Sequence, residues 1–233
     1  MIGIIDANQA YIVRMKRKII LSVISIVCIV CAVFTLGACN KKNKNVAKDN
    51  VSRQTDAFYC GESDVYAVSI EFGKRERTFI ADGKATDVRA FCEISITPLK
   101  QNDAESLTFV VKGQDAELSG EVQASNYGEF VAEIGLEFTP QSVVITHGES
   151  ASEIELCNVL EGALSANDVI NIAKKEFADK ISAEKDKPER EIYVKLISGD
   201  RTTYYYYVSF IGEGVDYWAM LVDIKTGEVV SKK

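Results

Sequence analysis

Hydrophobic and polar residues alternate through most of the middle of the chain. Turn-forming residues at 82–83, 113–115 and 126–128 separate several of the alternating runs. A two-residue period sends successive side chains to opposite faces, so each run predicts a β-strand. The predicted strands cover residues 65–72, 78–81, 91–97, 107–112, 116–122, 130–138, 142–146 and 153–158. We therefore expect residues 57–161 to form an all-β antiparallel sandwich.

The pattern changes to a helical period at Ser165. Ser165 and Asp168 have the spacing of a capping box, and apolar residues then recur on one side of a predicted helix of about four turns. A charged loop at 184–191 follows. Further strands are predicted at 192–198, 202–211, 217–224 and 228–230. Because a helix can cover the single apolar face of such a sheet, residues 162–233 predict a small α+β domain of one helix on an antiparallel sheet.

Two phrases in this C-terminal region carry a resemblance to a known family. They read SANDVINIA at 165–173 and YWAMLVDIKTGEVV at 217–230. Through them, residues 163–231 resemble a PepSY domain. Domains of this family occur in propeptides of thermolysin-like metalloproteases, where they are implicated in inhibition, and in secreted or membrane-attached bacterial proteins. Since the sequence carries no protease domain, the resemblance implies at most modulation of a secreted protease in trans.

The N-terminal region has the layout of a secretory signal. A basic cluster, Arg14 and residues 16–18, precedes an uncharged apolar run at 19–36. The run ends in Leu36-Gly37-Ala38-Cys39, which resembles a bacterial lipobox. The resemblance implies cleavage between Ala38 and Cys39 and a diacylglycerol on Cys39. Because the basic cluster begins so late, we expect translation to start at Met15.

An uncleaved transmembrane helix is the alternative interpretation of the apolar run, which is just long enough to cross a bilayer. In both cases the basic cluster stays inside, so the rest of the chain lies outside the cytoplasm. We expect a signal peptide at 1–38 and a lipidated flexible tether at 39–56, on the outer face of the cell membrane of a Gram-positive bacterium. The tether's five basic residues suit either an anionic membrane surface or simple solubility.

The net charge argues against nucleic acid as a partner. The full chain carries a formal charge of −7. Of its 27 basic and 34 acidic residues, 4 and 1 lie within 1–38, so the predicted mature chain carries −10. Such a surface repels phosphate backbones, and no basic stripe is present to follow them.

The six cysteines do not form an obvious disulfide framework. Cys28 and Cys31 lie in the apolar run, and Cys39 is the predicted lipidation site. Three others remain in the region expected to fold: Cys60, Cys92 and Cys157. This odd number lacks metal-ligand spacing, and either one extracellular disulfide or buried free thiols fit it.

Catalytic chemistry has little support in the sequence. His147 is the one histidine of the chain, and it lies at a predicted strand end without a nucleophile motif. We also find no metal-binding helix motif, phosphate loop or calcium loop. We therefore predict no catalytic residue, no metal site and no cofactor, although paired carboxylates among so many acidic residues leave a hydrolase open.

The aromatic run at 203–208 is the most distinctive feature of the C-terminal region. Alternation turns Tyr204 and Tyr206 under the helix and leaves Tyr205 and Tyr207 outward. Tyr205 and Tyr207, with Trp218 on the next strand, form the predicted partner-binding surface, since exposed aromatics suit protein recognition. The alternative is that tyrosine is here as a strand former, or that the sandwich covers this face.

These observations favour a non-enzymatic, lipid-anchored surface protein that binds an extracellular protein or peptide. An envelope protein that binds a small molecule or cell-wall fragment is the second candidate. A pocket of convergent polar groups between strands would favour the second.

Overall fold

The computed structural model describes residues 49–101, 103–125, 128–184, 188–214 and 216–233. The predicted signal peptide, the Met15 start, the lipobox with Ala38 and Cys39, and residues 39–48 of the predicted tether lie outside the described residues. No helix in the described ranges is both long enough and apolar enough to cross a membrane.

The elements follow the predicted order of strands, then helix, then strands. The strands are β1 (Val51–Glu62), β2 (Tyr66–Glu76), β3 (Val88–Pro98), β4 (Ser106–Lys112), β5 (Glu117–Gln123), β6 (Phe130–Glu133), β7 (Ser142–His147), β8 (Ser150–Glu155), β9 (Cys157–Asn158), β10 (Glu191–Ser198), β11 (Tyr204–Ile211), β12 (Tyr217–Asp223) and β13 (Val229–Lys232). The helices are α1 (Ala166–Glu176) and α2 (Ala178–Ala183). The chain is therefore mostly β, as the sequence predicts.

Two sheets enclose the N-terminal core. One has the strand order β5-β4-β7-β8, and the other contains β1-β2-β3-β6 as part of a larger sheet. Alternate residues of both sheets form one buried apolar cluster, with Ile70, Ile94, Val111 and Ile145 fully buried in it. Strands with an apolar residue at every second position are stable in two packed sheets because the inner, apolar faces of both sheets are buried.

The C-terminal core lies between α1 and the strands β10 to β13. Ser165 caps α1: its side chain accepts a hydrogen bond from the Asp168 amide, and Asp168 completes the predicted capping box. Val169, Ala173 and Phe177 face the sheet and are buried there. The predicted helix on an antiparallel sheet is thus confirmed, with its second half separated as α2.

Strand β1 joins the two halves, which the sequence did not predict. It pairs antiparallel with β2, antiparallel with β9 near its end, and parallel with β10 through residues 51–54. The sheet therefore runs without interruption in the order β13-β12-β11-β10-β1-β2-β3-β6. The two predicted domains share this sheet.

The predicted tether extends too far along the chain. Residues 51–56 belong to β1, where Ser52 and Thr55 are buried. The Thr55 hydroxyl donates to Glu71 Oε1 at 2.6 Å, and the Ser52 hydroxyl donates to the Ile192 carbonyl at 3.4 Å. These polar residues are buried because distant strands satisfy their hydrogen bonds. The predicted strand at 78–81 is also wrong, since these residues form a loop.

Candidate functional site

The candidate site lies on the face of the C-terminal sheet that is turned away from α1. Tyr206 and Val208 of β11 pack beneath the helix. Tyr205 and Tyr207 lie on the opposite face, as alternation predicts, and both are half-buried. Their position supports recognition only if neighbouring strands add further groups to this face.

Three rings from different parts of the chain form what we call the aromatic wall: Phe79, Tyr193 and Tyr207. Tyr193 contacts Phe79 with 5.6 Å between ring centroids and Tyr207 with 6.3 Å, both nearly edge to face. Phe79 belongs to the loop after β2 and remains 48% exposed. The loop therefore adds an accessible ring to the two tyrosines of the sheet.

Trp218 does not belong to this surface, contrary to its predicted position. Its side chain is 6% exposed and lies on the helix side of the sheet, since β12 pairs Trp218 with Phe210. Its ring lies 5.8 Å from that of Phe177, and the Arg190 guanidinium stacks 4.0 Å from its centroid. Trp218 is a core residue. Tyr217, 37% exposed, is the aromatic of β12 on the outer face.

A cavity of about 360 Å³ opens beside the aromatic wall. We call it the acidic cavity. Tyr193 and Tyr207 line one side, and Arg53, Glu76 and Ser209 lie around it. Ser209 is 1% exposed, and its hydroxyl has no hydrogen-bond partner among the described residues. An unpaired buried hydroxyl at a cavity wall is available to a ligand.

One buried glutamate, Glu76, lines the acidic cavity, and a second, Glu191, lies close to Glu76. Glu76 is 4% exposed; its Oε1 accepts a hydrogen bond from the Thr86 amide, while Oε2 has no partner among the described residues. Glu191, at the start of β10 and on the Tyr193 side, is 0% exposed, and neither of its oxygens accepts a hydrogen bond of good geometry from the described residues. Buried carboxylates without partners are costly.

The pKa of Glu191 reflects this environment. Burial, and then the negative charge of Glu76, raise the pKa of Glu191 to about 7, while the neighbouring Ser52 hydroxyl offsets part of the effect. Asp82 raises the pKa further. A group that titrates near neutral pH beside a cavity is a candidate functional group.

The loop between β2 and β3 is held close to the carboxylates by Asn50. The Asn50 side chain donates to the Gly83 carbonyl at 2.9 Å and accepts from the Ala85 amide at 2.7 Å. A bridge between Asp82 and Glu213 ties the loop to the end of β11. The loop is thus fastened on both sides of the acidic cavity.

The arginines near the acidic cavity do not neutralise Glu76 and Glu191. Three arginines and three other glutamates occupy neighbouring positions on β1, β2, β3 and β6 and pair with one another. The contacts are Arg53–Glu71 at 2.9 Å, Arg75–Glu93 at 2.6 Å, Arg75–Glu133 at 2.8 Å and Arg89–Glu133 at 3.2 Å. Arg53 and Arg75 also line the cavity, but their ion pairs are with other glutamates, so Glu76 and Glu191 have no direct ion-pair partner among the described residues.

Binding fits this arrangement better than catalysis. Ser209 has no hydrogen-bonded base to activate it, and His147 is exposed at the end of β7 in the other sheet. Within the described ranges, no group of three or more histidine, cysteine or acidic residues could hold a metal ion. What the cavity offers is aromatic surface beside the unpaired Glu76 carboxylate, the elements of organic-cation recognition.

Comparisons with known proteins add no relative. No protein-family model, curated protein or solved structure matches this chain. Function is therefore inferred from the residues described above.

Sequence reasoning missed the polar groups of the acidic cavity. Arg53 fell within the predicted tether and Glu191 at the end of the predicted charged loop. The alternation of β10 could have identified Glu191. Glu191 precedes Tyr193 by two positions and therefore lies on the same face of the strand. Glu76 and Ser209 carry no comparable signal, because their burial depends on the loop and on the parallel strand β1.

A larger groove of about 630 Å³ lies where the β10–β11 hairpin leaves β1. Small polar residues of the sandwich, Ser69, Ser95 and Thr97, line one side, and the hairpin turn lines the other. In this turn, the Asp200 carboxylate accepts from the amides of Thr202 and Thr203, which lowers its pKa. The ordered turn gives this groove a fixed polar wall.

Proposed function

We propose that this chain is a non-enzymatic binding protein, held by a lipid on Cys39 at the extracytoplasmic face of the cell membrane, that binds an extracellular protein or peptide. The aromatic wall and the acidic cavity are the binding site. The partner places a lysine or arginine side chain in the cavity, beside the rings of Tyr193 and Tyr207 and toward the carboxylates of Glu76 and Glu191.

The observation that carries this proposal is the pair of buried carboxylates with unpaired oxygens beside the cavity. An unpaired buried charge costs several kcal/mol, which is reduced when a cation arrives. A cation that also stacks on tyrosine rings gains about 0.5–2 kcal/mol more. The partly open ring of Phe79, which lines the cavity, leaves room for the rest of a peptide.

Binding of a short lysine peptide to the full chain tests the site. The probe is N-acetyl-Ala-Lys-Ala-amide, and the matched control peptide replaces lysine by uncharged norleucine. In calorimetry at pH 8 we expect the lysine peptide alone to bind. Glu191→Gln should weaken its affinity roughly tenfold, the loss of one charged partner.

A matched protein control removes a carboxylate elsewhere. Glu153→Gln changes an exposed glutamate of β8 that pairs with Lys112 at 2.8 Å, far from the aromatic wall in the strand order. This variant should bind as the unchanged chain does. Equal binding of the two peptides, or full affinity in Glu191→Gln, would overturn the proposed site.

Modulation of a secreted protease in trans is the most specific form of this proposal. The resemblance of residues 162–233 to PepSY domains supports it, by analogy of fold to function. The test incubates the full chain with the secreted proteases of its host and measures binding and residual proteolysis. Failure to bind or inhibit any of them rejects this form and leaves peptide binding to be tested separately.

The lipid anchor is tested apart from the binding site. Cys39→Ala removes the thiol that would carry the lipid, and the first residue of the proposed binding site in the sequence is Arg53. We expect this variant to leave the membrane fraction while keeping its affinity for the lysine peptide. Retention in the membrane would favour the uncleaved helix instead.

A second candidate function is binding of an envelope small molecule or cell-wall fragment. The larger groove favours it, because its serine and threonine hydroxyls converge between strands and suit a polyhydroxylated ligand. Thr97→Val and Ser95→Ala would then lower binding of soluble cell-wall fragments without affecting the lysine peptide.

A further inference from the structure

Two cysteines lie directly opposite each other in the sheet. The two-residue strand β9 pairs antiparallel with the end of β1, and its register sets Cys157 across from Cys60. Directly opposed residues of an antiparallel pair have their side chains on the same face. The two thiols therefore share one face of the sheet, although 97 positions separate them in the sequence.

The backbone separation suits a disulfide. The Val159 amide donates to the Phe58 carbonyl at 2.9 Å, which makes that pair a hydrogen-bonded one. Pair types alternate along an antiparallel ladder, so Cys60 and Cys157, two residues further on, form a hydrogen-bonded pair with about 5.5 Å between Cα atoms. Disulfides span roughly 4.4–6.8 Å between Cα atoms.

We propose that Cys60 and Cys157 are joined by a cross-strand disulfide when the chain meets a thiol oxidant, and that Cys92 remains a thiol. Cys92 is 7% exposed and packs in the sandwich core across from Phe72. Cys60 is half-buried and Cys157 is exposed. Among the three cysteines in the described part of the chain, Cys60 and Cys157 are the pair that combines opposition in the sheet with access from solvent.

The oxidant is a low-molecular-weight disulfide or a disulfide-carrying oxidoreductase. The exposed Cys157 thiolate attacks one sulfur of the oxidant and forms a mixed disulfide, releasing the first thiol. The Cys60 thiolate then attacks the Cys157 sulfur and releases the second thiol. The chain loses two protons and two electrons, and the oxidant disulfide gains both electrons as it becomes two thiols.

The surroundings of Cys60 set this order of attack. Burial raises the pKa of the Cys60 thiol, while a hydrogen bond with the Tyr204 hydroxyl, 3.2 Å from Sγ, opposes the increase. Cys60 thus holds its proton more tightly than an ordinary thiol and is partly shielded from solvent, whereas Cys157 is exposed to the oxidant. The exposed thiol reacts first and its neighbour completes the bond.

The disulfide has a specific place in the molecule. Cys60 and Tyr204 both line the larger groove, and Cys157 follows the last strand of the sandwich. Joining Cys60 to Cys157 fastens the end of the sandwich to β1, the strand shared by both halves. Redox state would then fix one wall of the larger groove.

Peptide mapping of the full chain tests the proposal. The detergent-solubilised protein is reduced, transferred to oxidised glutathione, quenched with an alkylating reagent and digested without reductant. We expect one linked peptide pair containing Cys60 and Cys157, lighter by two hydrogen atoms than the two thiol peptides, and an unlinked Cys92. Mapping reads each cysteine separately, so cysteines outside this pair do not confuse the result.

Serine variants supply matched controls. Cys92→Ser should leave the linked pair unchanged. Cys60→Ser should trap Cys157 as a stable mixed disulfide with glutathione, since the resolving thiol is gone; Cys157→Ser, which alters an exposed side chain, should leave Cys60 reduced. A link that includes Cys92, a link between two chains, or a stable glutathione adduct on Cys157 of the unchanged chain would overturn the proposal.

Discussion

Glu191 shows at the scale of one residue how an unpaired buried charge opposes stability. It is a carboxylate at the start of a strand, fully buried, with no hydrogen bond of good geometry from the described residues. Such a group destabilises the fold whenever it is ionised. A buried carboxylate with this cost suits a role in binding, such as the proposed cation site.

The stability of the chain should therefore depend on pH through Glu191. Its folded-state pKa of about 7 lies above the ordinary 4.5, so the folded chain holds a proton that the unfolded chain has released. The free energy of unfolding should then fall as pH rises from about 4.5 to about 7, by about 2–4 kcal/mol, and level off above. Chemical unfolding at pH 5 and pH 8 measures the difference.

The variant Glu191→Gln isolates this contribution. It removes the titrating group, so its stability should change less between pH 5 and pH 8, and at pH 8 it should exceed that of the unchanged chain. Equal pH dependence in the two proteins would show that other groups cause the change.

Binding of the lysine peptide should have the opposite pH dependence. Protonation of Glu191 below about pH 7 removes one of the two negative charges that favour the cation. Affinity measured by calorimetry at pH 6 should be several-fold lower than at pH 8. The Glu191→Gln variant should show a nearly constant, weaker affinity across this range.

At the scale of the element, the sequence correctly predicted the features that depend on neighbouring residues. The α1 capping box, the buried stripe of the helix and the strands with strict alternation were predicted correctly, because neighbouring residues suffice to form them. Strand β1 was missed since its buried Ser52 and Thr55 find their partners in β10 and β2. Those partners exist only in the assembled sheet.

The predicted outward position of Trp218 differs from the structure for a related reason. Alternation in β12 predicts two faces but does not say which one the helix covers. The register with β11 decides this, because it sets Trp218 across from Phe210 and thus beneath α2 and the end of α1. The outward position of Tyr205 and Tyr207 was predictable, as the opposite face of β11 continues into Val208 and Phe210.

The first turn of α1 offers a direct test of the local argument. Ser165→Ala removes both the side-chain acceptor for the Asp168 amide and the 2.6 Å hydrogen bond to its carboxylate. Losing an N-cap of this kind costs about 1 kcal/mol. Denaturant unfolding should show a lower midpoint with an unchanged slope; Ser198→Ala, in the β10–β11 hairpin, controls for loss of a serine outside a helix cap.

At the scale of the whole molecule, the shared sheet makes the two halves depend on each other. The parallel contact of β1 with β10 and the packing of Val51 and Phe58 against the helix core cross the predicted boundary at 161/162. A chain ending at Gly162 would expose one edge of β1. The side chains of Val51 and Phe58 would lose the helix core against which they pack. We expect it to be less stable and to aggregate.

Cooperative unfolding of the full chain tests this dependence. Trp218 is the one tryptophan and reports on the helix core, while Cys92 reports on the sandwich core through its reaction with a thiol reagent. In increasing denaturant, the fluorescence transition and the labelling transition should coincide. Two separated transitions would mean that the halves unfold independently.

The parallel pairing of β1 with β10 also constrains the order of folding. The carbonyl that accepts the hydrogen bond of the Ser52 hydroxyl belongs to Ile192, 140 residues further along the chain. A chain that emerges with its N-terminus first therefore presents β1 long before the strand that completes its edge has appeared. Contacts of such long range slow the search for the native state. The partly formed sheet is then the species that chaperones must shield until β10 has emerged.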